Sequence, residues 1–139
     1  MHEEYGDRAE FLVVYVREAH STDGWALESG WSIIADATDH DVRKAAAAQA
    51  CSMLHFPFGV AVDGMDDAVA IRWSAWPERL FVVDVDGIVR YTGEQGPFGF
   101  WPRRTTPSMV VEDGFSPGAP LDEFLEAFLA ESPARSGSP

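Results

Sequence analysis

The chain has 139 residues, of which 46% are apolar and 12% aromatic, enough for one domain with one core and too few for two full domains. Ten Lys and Arg against 23 Asp and Glu give a formal charge of -13, which repels phosphate backbones and anionic lipids, so neither nucleic acid nor a membrane surface is expected as a partner. The single cysteine, Cys51, excludes an intrachain disulfide and favours a reducing, cytoplasmic location.

The first part of the chain predicts a short helix, a buried strand and a long loop. Residues 1–10 are polar and suit the last turn of a helix and its exit. The run FLVVYV at 11–16 is β-branched and aromatic, which is typical of a strand covered on both faces. Residues 17–38 are irregular, with Trp25 and Trp31 available to hold the loop down. Loops of that length usually have a function.

A helix is predicted next, beginning after Asp39 as its N-cap. Its sequence VRKAAAAQACSML is rich in alanine, which allows close packing against a sheet. One stripe of residues is expected to face that sheet: Val42, Ala46, Ala50 and Met53.

Three further elements follow before the chain becomes rich in glycine and proline. The run at 58–62 predicts a short strand, and residues 68–73 predict one or two helical turns. Two β-rich runs, 80–83 and 88–91, flank the sequence DVDG at 84–87. An Asp-Gly pair between two such runs indicates a hairpin.

The last part predicts a loop, a helix and a tail. Residues 93–120 are expected to be loop with aromatic anchors. Apolar residues within 121–129 have the spacing of an amphipathic helix, and the small-residue segment 132–139 is expected to be a disordered tail. The order of elements predicts an α/β thioredoxin-like sandwich with a mixed sheet over residues 1–131. The first strand and most of the first helix of that fold are expected to be missing from these residues.

Two blocks of sequence resemble the iodothyronine deiodinase-like family. The first is FLVVYVREAHSTDGW at 11–25, in which a strand ends in Glu-Ala-His. The second combines VDGMDDAV at 62–69 with WPERLFVVDVDGIVRYTGEQGPFGF at 76–100. Together the blocks cover roughly residues 4–102, and their combined length makes the match far more specific than a short motif.

The resemblance implies a thioredoxin-fold reductive dehalogenase without a bound cofactor. In that family a selenocysteine, or a cysteine in some relatives, attacks iodine on a thyronine ring, and a thiol reductant acts as co-substrate. The corresponding nucleophile is expected upstream of Met1, so the 139-residue chain alone is expected to be inactive. The expected partners are a small aromatic substrate and the thiol reductant, with a homodimer left open.

His20 is the first candidate catalytic residue. It follows the strand predicted at 11–16, at the edge from which α/β proteins commonly present ligands. The resemblance implies that its imidazole donates a proton or a hydrogen bond to the phenolic oxygen of the substrate. The alternative is a loop histidine that is bonded to Ser21 or Asp23.

Glu78 is the second candidate catalytic residue, because it follows Pro77 and precedes a strand, as in the cis-proline loop of thioredoxin folds. The resemblance implies that its carboxylate relays protons or orients His20. The alternative is a surface salt bridge with Arg79. A cis bond between Trp76 and Pro77 is a hypothesis, since only about one X-Pro bond in twenty is cis.

The resemblance also implies substrate contacts, from Glu18, Trp25, Gln95 and Phe98. Some family members carry an arginine where this chain has Gln95, and glutamine offers no positive charge to a substrate carboxylate. A neutral or simpler halogenated phenol is therefore as plausible a substrate as a thyronine. Three arginines are candidates to replace that charge: Arg90, Arg103 and Arg104.

Two other groups of residues could form functional sites, but a structural role is preferred for both. Cys51 and His55 lie four residues apart and could form a nucleophile and base, but a small buried cysteine on the alanine-rich helix is preferred. Several aspartates suggest a cation, but Asp-Gly and Asp-Asp in turns are mostly backbone caps, so no metal site is expected. These aspartates are Asp63, Asp66, Asp67, Asp84 and Asp86.

The missing strand is expected to lie between the strands at 11–16 and 58–62. A gap there would leave buried backbone groups unpaired, at about 1 to 3 kcal/mol each. The two strands therefore pair directly, or another chain supplies a strand, or the protein continues upstream of Met1, which is the preferred explanation. Two functions remain as alternatives to dehalogenation: a non-catalytic binding module with a thioredoxin fold, and a peroxidase-type thioredoxin relative.

Overall fold

A computed structural model describes residues 1–27, 32–96, 99–103 and 119–131. Contacts along the chain divide it into two compact units, which are described separately. One unit is Phe11–Pro77, and the other combines Met1–Glu10 with the residues from Glu78 onward. The expected tail at 132–139 lies outside the described residues.

The unit Phe11–Pro77 is built on two parallel strands joined by a helix. Strand β1, Leu12–Tyr15, pairs with β2, Gly59–Val62, from Leu12 opposite Gly59 to Tyr15 opposite Val62. The helical crossover that parallel neighbours require is α2, His40–Leu54. Of the three arrangements considered for these strands, the structure shows direct pairing of β1 with β2.

Strand β1 is not covered on both faces, contrary to the expectation from its unbroken apolar run. Leu12 is 67% exposed, and the remaining residues of the strand are partly exposed. The sheet contains only β1 and β2, so each strand also keeps one open edge among the described residues. The apolar run correctly predicted a strand, but the prediction that both faces of this strand are covered was wrong.

Helix α2 begins as predicted. Asp39 is the N-cap, and its carboxylate accepts hydrogen bonds from the N–H groups of Asp41 at 3.0 Å and Val42 at 2.9 Å. The predicted buried stripe is partly wrong, because Val42 and Met53 are exposed. The residues that the helix buries are Arg43, Ala46 and Ala47. Small alanines let the helix approach closely, and the long Arg43 side chain reaches past them into the unit.

The turn after β2 is held by a buried carboxylate. Asp63 is 2% exposed, and its carboxylate accepts hydrogen bonds from the N–H groups of Gly64 at 2.8 Å, Val69 at 3.1 Å and Ala70 at 2.9 Å. The last two donors belong to the first turn of helix α3, Ala68–Trp73, which was predicted. Asp63 therefore satisfies donors at a helix start that have no intrahelical partner.

The pKa of Asp63 lies below its ordinary value. Burial alone raises it, but the three N–H groups, with Ala70 the strongest, and the charge of Arg43 together outweigh burial. The carboxylate is consequently ionised in the folded chain at neutral pH.

Arg43 holds the same turn from the helix side. Its side chain is 3% exposed, and Nη1 donates to the carbonyl oxygen of Gly64 and to Oδ1 of Asp67, the latter at 2.7 Å. A buried guanidinium needs such partners, since a desolvated charge without one is strongly unfavourable. Arg43 therefore links α2 to the turn that leads into α3.

The second unit contains the predicted hairpin. Strands β3, Phe81–Val83, and β4, Val89–Thr92, are antiparallel, with a bulge between Val82 and Val83. At the turn, Oδ1 of Asp84 accepts from the N–H groups of Asp86 and Ile88, both at 2.9 Å. Gly87 has φ of +80°, a conformation that glycine adopts without steric cost.

Two helices complete the second unit, as the sequence predicted. Helix α1 spans His2–Tyr5, and Tyr5 is buried. Helix α4 spans Leu121–Glu131, with Leu121 and Leu125 buried, and the Phe124 ring contacts that of Tyr91 at 5.1 Å. No helix among the described residues is long and apolar enough to span a bilayer.

Candidate functional site

The first group of candidate residues follows the end of β1. The hydroxyl of Tyr15 donates to Oε2 of Glu18 at 3.0 Å, and the backbone N–H of His20 donates to Oε1 of the same carboxylate at 3.4 Å. Glu18 therefore joins the last residue of the strand to the backbone of the candidate catalytic histidine.

Tyr15 is a neutral donor in this arrangement. Burial, followed by the negative charge of Glu18, raises the pKa of Tyr15 to about 12. Its hydroxyl therefore keeps its proton throughout the physiological range and holds one carboxylate oxygen of Glu18. The resemblance implied substrate contact for Glu18, and the structure shows it bonded within the chain.

The ring of His20 has a defined tautomer when neutral. Its Nδ1 lies 3.2 Å from the carbonyl oxygen of Trp25, which can only accept a hydrogen bond. Nδ1 must therefore carry the proton, and Nε2 is the nitrogen left to exchange a proton with a ligand. The partner is neither Ser21 nor Asp23, the two that the alternative interpretation proposed.

Trp25 lies beside His20 without being buried. The two ring centroids are 4.6 Å apart, and Trp25 is 65% exposed. An exposed indole next to an imidazole offers a flat apolar surface on which an aromatic ligand can stack. Trp25 is thus not a buried anchor for its loop, and Trp31 lies outside the described residues.

Polar contacts hold the loop around His20 instead. Asp23 accepts from the N–H of Asp36 at 2.9 Å, which is the main cause of a lowered pKa for Asp23. Arg17 forms a 3.0 Å ion pair with Asp36, and Ser21 is buried. A Cβ on Gly24 would lie 2.5 Å from the Ser21 hydroxyl oxygen, so this glycine permits the tight turn.

A groove of about 240 Å³ in the same unit is lined in part by Tyr15, Arg17 and Glu18. Consecutive residues from Val13 to Ala19 line one side of it, including Glu18. The remaining lining residues are Ala50, Leu54, Phe56 and Pro77. The Trp76–Pro77 peptide bond is cis.

Glu78 begins the other unit and lies against a glycine. The backbone N–H of Gly96 donates to the carbonyl oxygen of Glu78 at 2.9 Å, and Gly93 bonds Leu80 in the same way at 2.9 Å. A Cβ on Gly96 would overlap Cγ of Glu78 and lie 2.9 Å from the Phe100 ring. The absence of a side chain at 96 therefore leaves the space that the Glu78 side chain occupies.

Gln95 is exposed and precedes this glycine, whereas Phe98 lies outside the described residues.

Arginines of this unit bond to groups of the chain itself. Nε of Arg79 donates to the Gly93 carbonyl at 2.7 Å. Two of the arginines considered for a substrate carboxylate form ion pairs, Arg90 with Asp84 at 2.6 Å and Arg103 with Glu4 at 3.1 Å. Arg104 lies outside the described residues.

The constellations that were set aside have structural roles. Cys51 is a half-buried free thiol on α2, and His55 is the left-handed C-cap of that helix. Asp63 and Asp84 accept backbone N–H groups, as expected for aspartates in turns. The described residues contain no group of three side chains suited to holding a metal ion.

Sequence reasoning missed two residues that shape these sites. Tyr15 looked like one of several apolar strand residues, although its spacing of three from Glu18 was a usable signal. Gly96 looked like an ordinary loop glycine, because its contact with Glu78 depends on the chain reversal after β4, which has no local signal in the sequence. His20 and Glu78 belong to different units, and each is positioned by contacts within its own unit.

The parallel β-α-β arrangement, the hairpin and the final helix define the class of this protein as a partial thioredoxin-like α/β fold. Residues 1–107 match the family described as iodothyronine deiodinase, and the chain belongs to that family.

Curated relatives agree with this assignment. The chain is 32% identical to the type I iodothyronine deiodinase of Xenopus laevis over 99 residues, covering 71% of this chain and 38% of that protein. It is 35% identical to the human type II enzyme over 103 residues, covering 70% and 37% of the two chains. Identity to the thyroxine 5-deiodinase of Gallus gallus is 35% over 98 residues, covering 70% and 37%. The chain thus spans little more than a third of these relatives' length.

Proposed function

We propose that this chain carries the proton-transfer and substrate-contact residues of a deiodinase-like oxidoreductase that removes iodine from a phenolic ring. The observation that carries the proposal is the His20 ring, whose Nδ1 is held by the Trp25 carbonyl and whose Nε2 remains for a ligand. The exposed Trp25 ring beside it offers a surface for an aromatic substrate. Family membership supports the same reaction class.

The overall reaction consumes one aryl iodide and two thiols and yields the dehalogenated arene, a disulfide and hydrogen iodide. The carbon–iodine bond breaks, a carbon–hydrogen bond forms, and the thiols are oxidised. His20 in its charged form donates from Nε2 to the phenolic oxygen as electron density builds on the ring. Glu78 relays protons in the same reaction. No bound cofactor takes part in the proposed reaction, and the thiol reductant is a co-substrate.

The attacking group is proposed to be a selenol or thiol encoded upstream of Met1. Cys51 is a poor candidate, because it is half-buried within α2. Reading the genomic DNA about 30 codons upstream tests this, a spacing estimated from one strand and one helix. An in-frame UGA or cysteine codon supports the proposal, and the lack of both contradicts it.

Two substitutions of His20 separate its chemistry from its structural role. In His20→Asn the side-chain amide can still donate to the Trp25 carbonyl, so the free energy of unfolding should change little. Iodide release with a dithiol present should fall about 100-fold, since no group replaces Nε2. The assay uses the protein from its complete reading frame, with urea unfolding measured in parallel.

The matched variant is His20→Gln, whose amide reaches toward the Nε2 position and loses the bond to Trp25. It should lose stability and keep more activity per folded molecule than His20→Asn. Full activity in His20→Asn would rule out a chemical role for the imidazole.

Gly96→Ala tests the position of Glu78. The added Cβ overlaps the Glu78 side chain and should displace it, lowering kcat/KM roughly tenfold or more, because small misplacements of reacting groups are costly. Glu78→Gln gives the reference loss, and Gly87→Ala in the distant hairpin turn is the structural control. Unchanged kcat/KM in both Gly96→Ala and Glu78→Gln would remove Glu78 from the mechanism.

The same assays distinguish a deiodinase from the two alternative functions, and they also test which class of phenol is the substrate. Consumption of hydroperoxide without iodide release would indicate the peroxidase-type relative, and ligand binding without turnover would indicate the binding module. Comparing iodinated phenols with and without a carboxylate tests whether Gln95 permits neutral halogenated phenols. The cytoplasmic location stays a prediction from the single cysteine.

A further inference from the structure

A short turn at residues 21–24 lies between the candidate catalytic histidine and the tryptophan whose carbonyl holds it. The N–H of Gly24 donates to the Ser21 carbonyl at 3.2 Å, which closes the turn. Ser21 is 4% exposed, and the missing Cβ at 24 leaves room for its hydroxyl. Because Trp25 is the next residue, this turn sets the position of the carbonyl that accepts from His20 Nδ1.

Two contacts fasten the turn to the far end of its own loop. The N–H of Thr22 donates to the Ile34 carbonyl at 2.9 Å. Oδ1 of Asp23 accepts from the N–H of Asp36 at 2.9 Å, and the hydroxyl of the buried Ser21 donates to the same carboxylate. Of the two contacts, only the second needs a particular side chain.

We infer that Asp23 is a positioning residue for the His20 imidazole. It acts through the backbone, because fixing the turn keeps the Trp25 carbonyl 3.2 Å from Nδ1. Without the Asp23 carboxylate, the turn keeps one of its two contacts with the far end of the loop, and the carbonyl is free to move away from the ring. His20 then loses both its single tautomer and the orientation of Nε2. The catalytic consequence of this inference rests on the proposed function, whereas the structural consequence does not.

The contact requires an acceptor oxygen at 23 and not a negative charge. An asparagine amide oxygen accepts a backbone N–H as a carboxylate does, so Asp23→Asn should keep the bond to Asp36. Asp23→Ala removes the acceptor, and Asp23→Glu keeps the charge but carries it farther from the backbone. Asp36→Asn is the matched control, because it weakens the 3.0 Å ion pair with Arg17 and retains the backbone N–H that Asp23 accepts.

The tautomer of neutral His20 tests the structural consequence in the protein from its complete reading frame. Nitrogen chemical shifts of the ring are measured at about pH 9, where an imidazole is neutral, and are assigned by their loss in His20→Asn. The parent, Asp23→Asn and Asp36→Asn should carry the proton on Nδ1. Asp23→Ala should show a mixture of both tautomers. A proton kept on Nδ1 in Asp23→Ala would overturn the inference, and so would a mixture in Asp36→Asn.

Iodide release by the same proteins tests the catalytic consequence. The kcat/KM of Asp23→Ala should fall about tenfold or more, because small misplacements of reacting groups are costly, while Asp23→Asn stays close to the parent. Asp23→Glu should lose as much as Asp23→Ala and replaces it if that variant does not fold. Equal losses in Asp23→Ala and Asp23→Asn would contradict the role of the acceptor oxygen. If the parent itself releases no iodide, the proposed function fails and the tautomer measurement decides this inference.

Discussion

Replacing Arg43 with methionine is expected to lower the free energy of unfolding by about 3 to 5 kcal/mol, the range found when one partner of a buried ion pair is removed. The guanidinium donates to the Gly64 carbonyl and to Asp67, and its side chain is almost fully buried. Methionine fills part of the volume but leaves both acceptors without this donor. The turn between β2 and α3 should therefore loosen first.

Lys44→Met is the matched control, because Lys44 is the next residue of α2 and forms an exposed ion pair with Asp41 at 2.6 Å. Exposed pairs contribute little, so this change should cost no more than about 1 kcal/mol. Urea unfolding followed by circular dichroism measures both variants. A loss of no more than about 1 kcal/mol in Arg43→Met as well would show that Arg43 is not structurally required.

Replacing Asp63 with asparagine should cost about 3 to 4 kcal/mol at pH 7, because hydrogen bonds to a charged group contribute roughly 1.5 to 3 kcal/mol each. Asparagine keeps one acceptor oxygen and turns an amide NH₂ toward backbone N–H groups. Asp66→Asn is the control, since Asp66 is exposed in the same turn. Similar losses in both would contradict the role assigned to the buried carboxylate.

The pH dependence of stability gives an independent measure of Asp63. Its pKa is lowered on folding, so its contribution is present above the unfolded value of about 3.9 and is lost as the pH falls through the lower folded value. Between pH 7 and pH 5 the contribution should be constant, and below about pH 4 it should decline. Asp63→Asn should therefore show a shallower loss of stability in acid than the parent chain.

Arg43 and Asp63 hold the same turn, so their substitutions should not be additive. The charge of Arg43 contributes to the lowered pKa of Asp63, and both residues contact Gly64. Coupled residues commonly show interaction energies of about 0.5 to 3 kcal/mol. With a total stability of about 5 to 15 kcal/mol for a typical domain, losing both is expected to unfold the unit.

The elements with local signals were predictable from the sequence. Asp39 caps α2 through its own side chain, and the Asp84–Gly87 turn is held by a carboxylate within the turn. The failures concern long-range contacts. Pairing of β1 with β2 depends on residues about 47 positions apart, and an apolar run does not reveal which of its edges or faces another element covers.

The candidate site was predictable in part for the same reason. The position of His20 follows from the end of β1, but its bond to the Trp25 carbonyl depends on the path of the loop. Burial of Arg43 has no local signal, because an arginine followed by a lysine on an alanine-rich helix is typical of an exposed face. The close approach of Gly96 to the Glu78 side chain arises only after the hairpin forms.

The contacts that Arg43 makes with the turn after β2 have a practical consequence for protein engineering. Both Gly64 and Asp67 are bound to the same guanidinium, whereas Met65 and Asp66 between them are exposed. A fluorophore attached at the Met65 side-chain position would thus project outward and leave unchanged the length of the turn, in which the Asp67 N–H donates to the Gly64 carbonyl at 3.0 Å.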